Sequence, residues 1–207
     1  MVFGWAVGSK AFSTPKEAGF RIAGKRYDNF VLQIHYDNPD QIPGHIDSSG
    51  LMIHSTKHFR KYDAGVLTLG VPLGQIKIPP KKKHSSISNL CQNHCSKDKF
   101  FIFGYSFHMH LIGYDIETRF FRNGRETVLL ENRDFHFDRQ ETVAVKEIEV
   151  QKDDFFFTKC VYNSMDRTNM TNGGYPSRSE MCYNFISFYP KSHGPAYCSG
   201  RNCRLFP

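Results

Sequence analysis

The sequence lacks several features that would assign it to common classes of protein. It has no apolar run close to the roughly 20 residues that a membrane-spanning helix needs. Its six cysteines include no C-x-x-C pair, and Cys91 and Cys95 have no matching second pair, which argues against a zinc module. The net charge is +7, but the only basic run is Lys81–Lys83, without a recognition motif. We therefore expect no membrane span and no nucleic-acid partner.

The N-terminus also lacks the basic start of a secretory signal peptide, and Gly4 and Gly8 interrupt its apolar stretch. An even number of cysteines nevertheless favours a disulfide framework, which requires an oxidising compartment. The triplet Asn169-Met170-Thr171 is a glycosylation sequon and fits secretion. We expect a secreted or vesicle-lumen protein whose true N-terminus lies upstream, or a fragment of such a protein.

What the sequence has in abundance is aromatic side chains, with 19 Phe and 10 Tyr among 207 residues. This content indicates a globular chain with a large aromatic core. Short alternating runs between turn residues favour an antiparallel β-sandwich or barrel. The predicted strands are Phe30–Tyr36, Leu51–His54, Gly65–Val71, Thr142–Val150, Asp154–Asn163 and Met181–Tyr189. Gln41–Gly50 is interpreted as a boundary between domains, and Pro79–Cys95 as a long basic loop.

The most informative stretch is Phe100–Glu126, FFIFGYSFHMHLIGYDIETRFFRNGRE. Aromatic and β-branched residues predict a strand, so His108 and His110, two residues apart, should share one face. Asn123-Gly124 then predicts a hairpin turn. Two imidazoles on one face supply two-thirds of a mononuclear metal site. The alternative is a pair of half-buried histidines packed among aromatics.

The chain resembles the copper type II, ascorbate-dependent monooxygenases, in the branch related to dopamine beta-monooxygenase. RKYDAG and SRSEMC favour the DBH-like members of that branch. The matching motifs are long and occur in order over nearly the whole chain: WAVGSKAF, VLQIHYDNP, DSSGL, RKYDAGVLTLG, IPP, FHMHLIG, RNGRE, CVYN and DRTNMTNGGYPSRSEMCYNFISFYP.

The resemblance implies a fold and a division of the chain. Residues 1–42 would be the end of an N-terminal copper domain. Residues 43–207 would be a C-terminal, jelly-roll-like antiparallel β-sandwich that carries the copper where dioxygen binds. The rest of the N-terminal copper domain would then be a missing partner.

The resemblance also implies the copper ligands. His108, His110 and Met181 would bind the dioxygen-reacting copper, a role that Met181 alone would not suggest, because a strand methionine usually packs in a core. Two imidazoles and a thioether suit copper in both oxidation states. His35 would be one of three histidines of a second, electron-relaying copper. The two histidines that complete that site have no counterpart in this sequence, so one copper is expected here instead of two.

Disulfide bonds follow from the resemblance as well. Cys160–Cys182 and Cys91–Cys198 are expected from the family's second domain. Cys95–Cys203 is then the remaining pair, although the family's equivalent bond extends further downstream. Cys160–Cys182 would fix the strand that carries Met181.

Two functional hypotheses remain open, together with a third that needs no metal. The first is a copper-dependent monooxygenase that hydroxylates a small substrate with dioxygen and ascorbate. The second is a copper-binding β-sandwich with impaired turnover, because His35 alone cannot form the relay site. The third is a disulfide-bonded interaction module without metal. The copper content of the purified chain separates the third from the others.

Overall fold

The structure is a computed structural model that describes residues 3–5, 9–22, 31–34, 36, 38, 40–93, 99–191, 195–200 and 202–205, with only the backbone described at 195–196 and 202–205. Its strands are β1 Ala18–Gly19, β2 Tyr62–Asp63, β3 Gly65–Gly70, β4 Lys77–Ile78, β5 Ser85–Gln92, β6 Phe100–His108, β7 Gly113–Arg122, β8 Arg125–Asn132, β9 Val143–Val150, β10 Phe155–Tyr162, β11 Thr171–Asn172, β12 Tyr183–Tyr189, β13 Pro195–Ser199 and β14 Asn202–Leu205. A short 3-10 helix spans Leu73–Gln75. No helix in these ranges has the length and apolar character to cross a bilayer.

The two main sheets form a sandwich. One has four strands in the order β5-β10-β7-β8, and the other has six in the order β14-β13-β3-β12-β6-β9. Pairing is antiparallel except between β13 and β3, which run parallel. Inward side chains of both sheets form one buried cluster. The prediction of a mainly β, antiparallel sandwich is therefore confirmed, with one parallel pair added.

The core between the sheets is apolar, with a small polar link. Ile116 and Phe156 of the four-stranded sheet, and Ile186 of the six-stranded sheet, are at most 1% exposed. Each such side chain contributes roughly 1.5–3 kcal/mol through burial. Thr118 connects the sheets, because its hydroxyl accepts a hydrogen bond from the Asn184 amide at 3.1 Å. Burial of apolar area thus holds the two layers together, and polar contacts such as this one add specificity.

The hairpin between β7 and β8 has the turn that the sequence predicts. Asn123 and Gly124 have φ angles of 52° and 75°, the left-handed conformation that both central residues of a type I′ turn require. This turn fixes the register of β8 against β7. The strand β7 itself begins shortly after the segment that carries the two histidines.

The structure corrects three predictions made from the sequence. Pro79–Cys95 is not a long loop, because β5 runs through it and pairs with β10 along its whole length. Ser86 and Ser88 of this strand are exposed, so hydrophobicity alone does not reveal it. The predicted strands at Phe30–Tyr36 and Leu51–His54 are wrong in the residues described there, 31–34, 36 and 51–54. Val31 is 91% exposed, so no sheet buries its side chain.

A second, smaller cluster covers part of the outer face of the six-stranded sheet. Phe12 stacks on Phe103 with ring centroids 5.8 Å apart, and Ala18 is fully buried beside them. Phe103 lies near the start of β6, whereas His108 is its last residue. The N-terminal segment therefore packs on this face around Phe103.

Two disulfide bonds join the sheets in the pairings that the resemblance implies. Cys91 of β5 is bonded to Cys198 of β13, with Cα atoms 5.6 Å apart. Cys160 of β10 is bonded to Cys182, just before β12, at 5.9 Å. Cys95 lies outside the described residues, as does the side chain of Cys203, so the third pairing remains a prediction.

We expect the double substitution Cys160→Ser with Cys182→Ser to lower the free energy of unfolding by roughly 3 kcal/mol, because the bond closes a short loop in the unfolded chain. The sequence separations are 22 and 107 residues, so loss of Cys91–Cys198 should cost more. Denaturant titration of both double variants measures this. An unchanged unfolding free energy in the first variant would contradict the expectation.

Candidate metal centre

The two histidines of the central stretch lie side by side at the end of β6. Their ring centroids are 5.1 Å apart and their planes meet at 89°. The sequence predicted both histidines within one strand, but β6 ends at His108 and His110 lies just beyond it. Met109 between them is fully buried in the core. This burial keeps the alternation of side chains going past the strand end, so both imidazoles stay on the opposite face.

The burial of Met109 depends on Gly113. A Cβ atom at Gly113 would lie 2.7 Å from the Met109 sulfur, closer than real contacts allow. Gly113 also closes a turn by donating its N–H to the His110 carbonyl at 3.3 Å. The motif FHMHLIG therefore has a local physical explanation: the glycine makes room for the residue that separates the two histidines.

Met181 comes directly before Cys182 and the start of β12. In the antiparallel register, Tyr183 pairs with His108. If the same register continued two residues past both strand ends, Met181 would lie opposite His110. Cys182 is buried and bonded in the interior, so alternation puts Met181 on the face that the imidazoles share. Met181 is 7% exposed.

Hydrogen bonds give both imidazoles the same tautomer. The His110 Nδ1 lies 2.9 Å from the Ser179 carbonyl oxygen, which can only accept, so this nitrogen carries the proton. The His108 Nδ1 lies 2.6 Å from Oε1 of Gln140. In each ring, Nε2 is then the nitrogen with the lone pair. A metal-binding histidine usually has this arrangement, with its other nitrogen donating to an oxygen.

A buried carboxylate joins the turn after β6 to the segment before β12. Glu180 is fully buried and accepts the backbone N–H groups of His110 at 2.9 Å, Ile112 at 3.0 Å and Met181 at 3.3 Å. Burial raises the pKa of Glu180 to about 7, while the three N–H donors and the nearby Arg167 act to lower it. This one side chain therefore sets the spacing between His110 and Met181.

Further anchors fix the Met181 segment from the other side. Tyr162 is fully buried and donates its hydroxyl hydrogen to the Met181 carbonyl at 2.8 Å. Burial raises the pKa of Tyr162 well above its ordinary value, so the phenol stays protonated and remains a donor. The Val71 N–H donates to the Cys182 carbonyl at 3.0 Å. Together with the disulfide at Cys182, these contacts leave the segment little freedom to move.

Aromatic rings border the histidine pair. Phe185 lies 5.9 Å from His108 and 6.0 Å from Tyr183, measured between ring centroids. Phe137 meets His110 edge-on at 6.1 Å. These rings make the surroundings of the imidazoles apolar on two sides, which limits access of water and strengthens electrostatic interactions there.

Of the residues predicted from the sequence, His108 and His110 lie side by side. Met181 stays a prediction as their co-ligand, and His35 lies outside the described residues. Asn169 is exposed, as a glycosylated side chain must be. Sequence reasoning missed Gln140, Ser179, Glu180 and Tyr162. No local pattern marks them, because each is defined by a partner at least 19 positions away.

The donor set fits copper. Two neutral imidazoles suit both Cu(I) and Cu(II), and a thioether favours the softer Cu(I). Within the described ranges, no three side chains among histidine, cysteine, aspartate and glutamate are grouped so as to hold a metal ion. A mononuclear centre at His108 and His110 would therefore need a donor of another type, and Met181 is the one that the sequence predicts.

Comparison with known proteins identifies the class. The profile described as "Copper type II ascorbate-dependent monooxygenase, C-terminal domain" matches residues 62–203, and the N-terminal domain of the same family matches residues 1–43. The chain belongs to the copper type II ascorbate-dependent monooxygenase family.

Individual relatives agree with this assignment. The chain is 35% identical to dopamine beta-hydroxylase of Bos taurus over 198 residues, which cover 91% of the chain and 32% of the relative. It is 36% identical to DBH-like monooxygenase protein 1 of Homo sapiens over 203 residues, covering 92% and 33%. Tyramine beta-hydroxylase of Caenorhabditis briggsae is 33% identical over 201 residues, covering 93% and 34%. The chain thus spans about a third of the length of these relatives.

We expect Glu180 to make the stability of the metal-free protein depend on pH. Its pKa rises from 4.5 to about 7 on folding, so the folded state binds the proton more tightly. Stability is then highest below pH 4.5 for this group and falls by roughly 3 kcal/mol as the pH rises to about 7. Urea unfolding at several pH values measures this slope.

The matched variants are Glu180→Gln, which should flatten the slope, and Glu141→Gln at an exposed position, which should preserve it. If Glu180→Gln shows the same pH dependence as the unmodified chain, the carboxyl group is not its source.

Proposed function

We propose that this chain provides the dioxygen-reacting copper site of a monooxygenase that hydroxylates a C–H bond of a small organic substrate. The observation that carries the proposal is the shared tautomer of His108 and His110, because it presents Nε2 of both rings as ligands. The pairing of Tyr183 with His108, extended past the strand ends, supports Met181 as the third ligand. When bound, copper supplies one-electron redox chemistry with dioxygen.

The proposed reaction balances with ascorbate as reductant. One atom of dioxygen enters the C–H bond to give an alcohol, and the other leaves as water. The two electrons and two protons come from ascorbate, which becomes dehydroascorbate. The chain's own contribution is to hold the metal, to exclude water with the rings around it, and to offer Tyr183 and Phe185 as an apolar wall next to His108.

A second candidate is a copper-binding protein with impaired turnover. His35 is the one residue that matches the electron-relay site, and no paired histidines precede it in the sequence. If residues 1–207 act alone and hold one copper, the second electron has no second copper to come from. In this proposal the remainder of the N-terminal copper domain is the partner that restores activity.

The setting of the site is also proposed. The two disulfides favour an oxidising compartment, and we infer a secreted or vesicle-lumen location with a glycan at the exposed Asn169. Division of the chain into 1–42 and 43–207 is supported by the separate family matches to residues 1–43 and 62–203.

We expect the purified chain to bind one copper ion and to hydroxylate slowly. Metal analysis gives the copper content, and ascorbate-dependent oxygen consumption with product analysis gives the rate. A rate comparable to the roughly 10 per second typical of enzymes would exclude the impaired alternative. A chain that binds no copper would exclude both candidates and favour the interaction module.

Met181→Ala should weaken binding of Cu(I) more than binding of Cu(II), because a thioether favours the softer ion. Competition with chromogenic chelators for each oxidation state measures the two affinities. Met170→Ala is the matched control, since Met170 is 48% exposed. Equal losses for the two ions, or equal behaviour of the two variants, would remove Met181 from the ligand set.

A further inference from the structure

One loop contacts both imidazoles. It connects β8, which ends at Asn132, with β9, which begins at Val143. From it, Phe137 meets His110 edge-on, and Gln140 is hydrogen-bonded to His108 at 2.6 Å. His108 and the loop are more than 20 positions apart in sequence, so their contact is a product of the fold.

The orientation of the Gln140 amide is determined by a second hydrogen bond. Its Nε2 donates to the Phe137 carbonyl oxygen at 2.7 Å. An amide nitrogen can donate but not accept, so the oxygen Oε1 must be the atom that faces His108. The His108 Nδ1 therefore carries a proton and donates it to Gln140, which leaves the lone pair on Nε2.

We propose that Gln140 is a positioning residue that holds His108 in the Nδ1–H tautomer and directs its Nε2 to the metal. The inference rests on the proposed copper site. His110 differs from His108, because its Nδ1 partner is the backbone carbonyl of Ser179, which no side-chain substitution removes. The two Nδ1 atoms thus have acceptors of different kinds, a side-chain amide for His108 and a backbone carbonyl for His110.

A merely structural role for Gln140 would be to close the loop through the Phe137 carbonyl. Two variants separate this role from the positioning role. Gln140→Met removes both hydrogen bonds at similar side-chain length. Gln140→Glu keeps an acceptor oxygen for His108 but loses the N–H group that Phe137 accepts. If Gln140 positions His108, Gln140→Glu should keep the tautomer and the copper affinity and Gln140→Met should lose them. If Gln140 only closes the loop, both variants should lose them.

The first measurement uses the metal-free chain labelled with 15N. Long-range proton–nitrogen correlation spectra, recorded about two units above the usual histidine pKa of about 6.5, report the tautomer of each ring. We expect Nδ1–H for His108 and His110 in the unmodified chain and in Gln140→Glu. In Gln140→Met, His108 should become a mixture of tautomers while His110 stays unchanged as an internal control.

The second measurement is the affinity for Cu(I), by chelator competition, together with the Cu(II) electron paramagnetic resonance spectrum. Loss of such a hydrogen-bond partner typically costs 10–100-fold in metal affinity, so about this loss is expected for Gln140→Met. Gln140→Glu should stay within a few-fold of the unmodified chain. Gln151→Met, at an exposed glutamine, should change neither affinity nor spectrum.

The outcomes are distinguishable. An Nδ1–H tautomer of His108 that persists in Gln140→Met overturns the proposal, as does a changed tautomer with unchanged copper affinity and spectrum. Failure of Gln140→Glu alongside Gln140→Met assigns Gln140 to loop closure and also overturns it. If the unmodified chain binds no copper, the proposed function fails. The tautomer measurement uses the metal-free chain, so it still tests whether Gln140 holds His108 in the Nδ1–H tautomer.

Discussion

The candidate site depends on one buried carboxylate. Glu180 accepts three backbone N–H groups from two segments that are about 70 positions apart, the turn after β6 and the chain before β12. A fully buried carboxyl group without donors would be very costly. The three donors remove much of that cost, and in return they hold His110 and Met181 at a fixed spacing. Neither segment could shift without leaving this group unsatisfied.

The surrounding sandwich makes the same end of the molecule rigid. Cys182 is bonded to Cys160 in the facing sheet, and Tyr162 of the same strand, β10, donates to the Met181 carbonyl. On the other segment, Met109 is locked in the core beneath Gly113. The residues that face the interior thus determine on which face of the sheet their sequence neighbours His108 and His110 lie.

Metal sites need a second layer of oriented partners around the ligands. Here that layer comes from two short segments, the loop with Phe137 and Gln140 and the run Ser179–Met181. The second of these supplies the Ser179 carbonyl for His110 and the Glu180 carboxyl group, directly before the proposed ligand Met181. Because these residues are consecutive, the backbone conformation just before β12 affects several contacts of the site at once.

The sequence by itself determined the β class, the Asn123-Gly124 hairpin and the shared face of His108 and His110, because these follow from local alternation and turn chemistry. Its motifs indicated the family, and with it Met181 and two disulfide pairings. The prediction was wrong for β5, because its exposed serines gave no apolar alternation. It was also wrong for Leu51–His54, because the apolar residues there are exposed and pair with no sheet. Only the tertiary structure decided the roles of Gln140, Ser179, Glu180 and Tyr162. Each acts through a hydrogen bond to a residue distant in sequence, and no local pattern records such a partner.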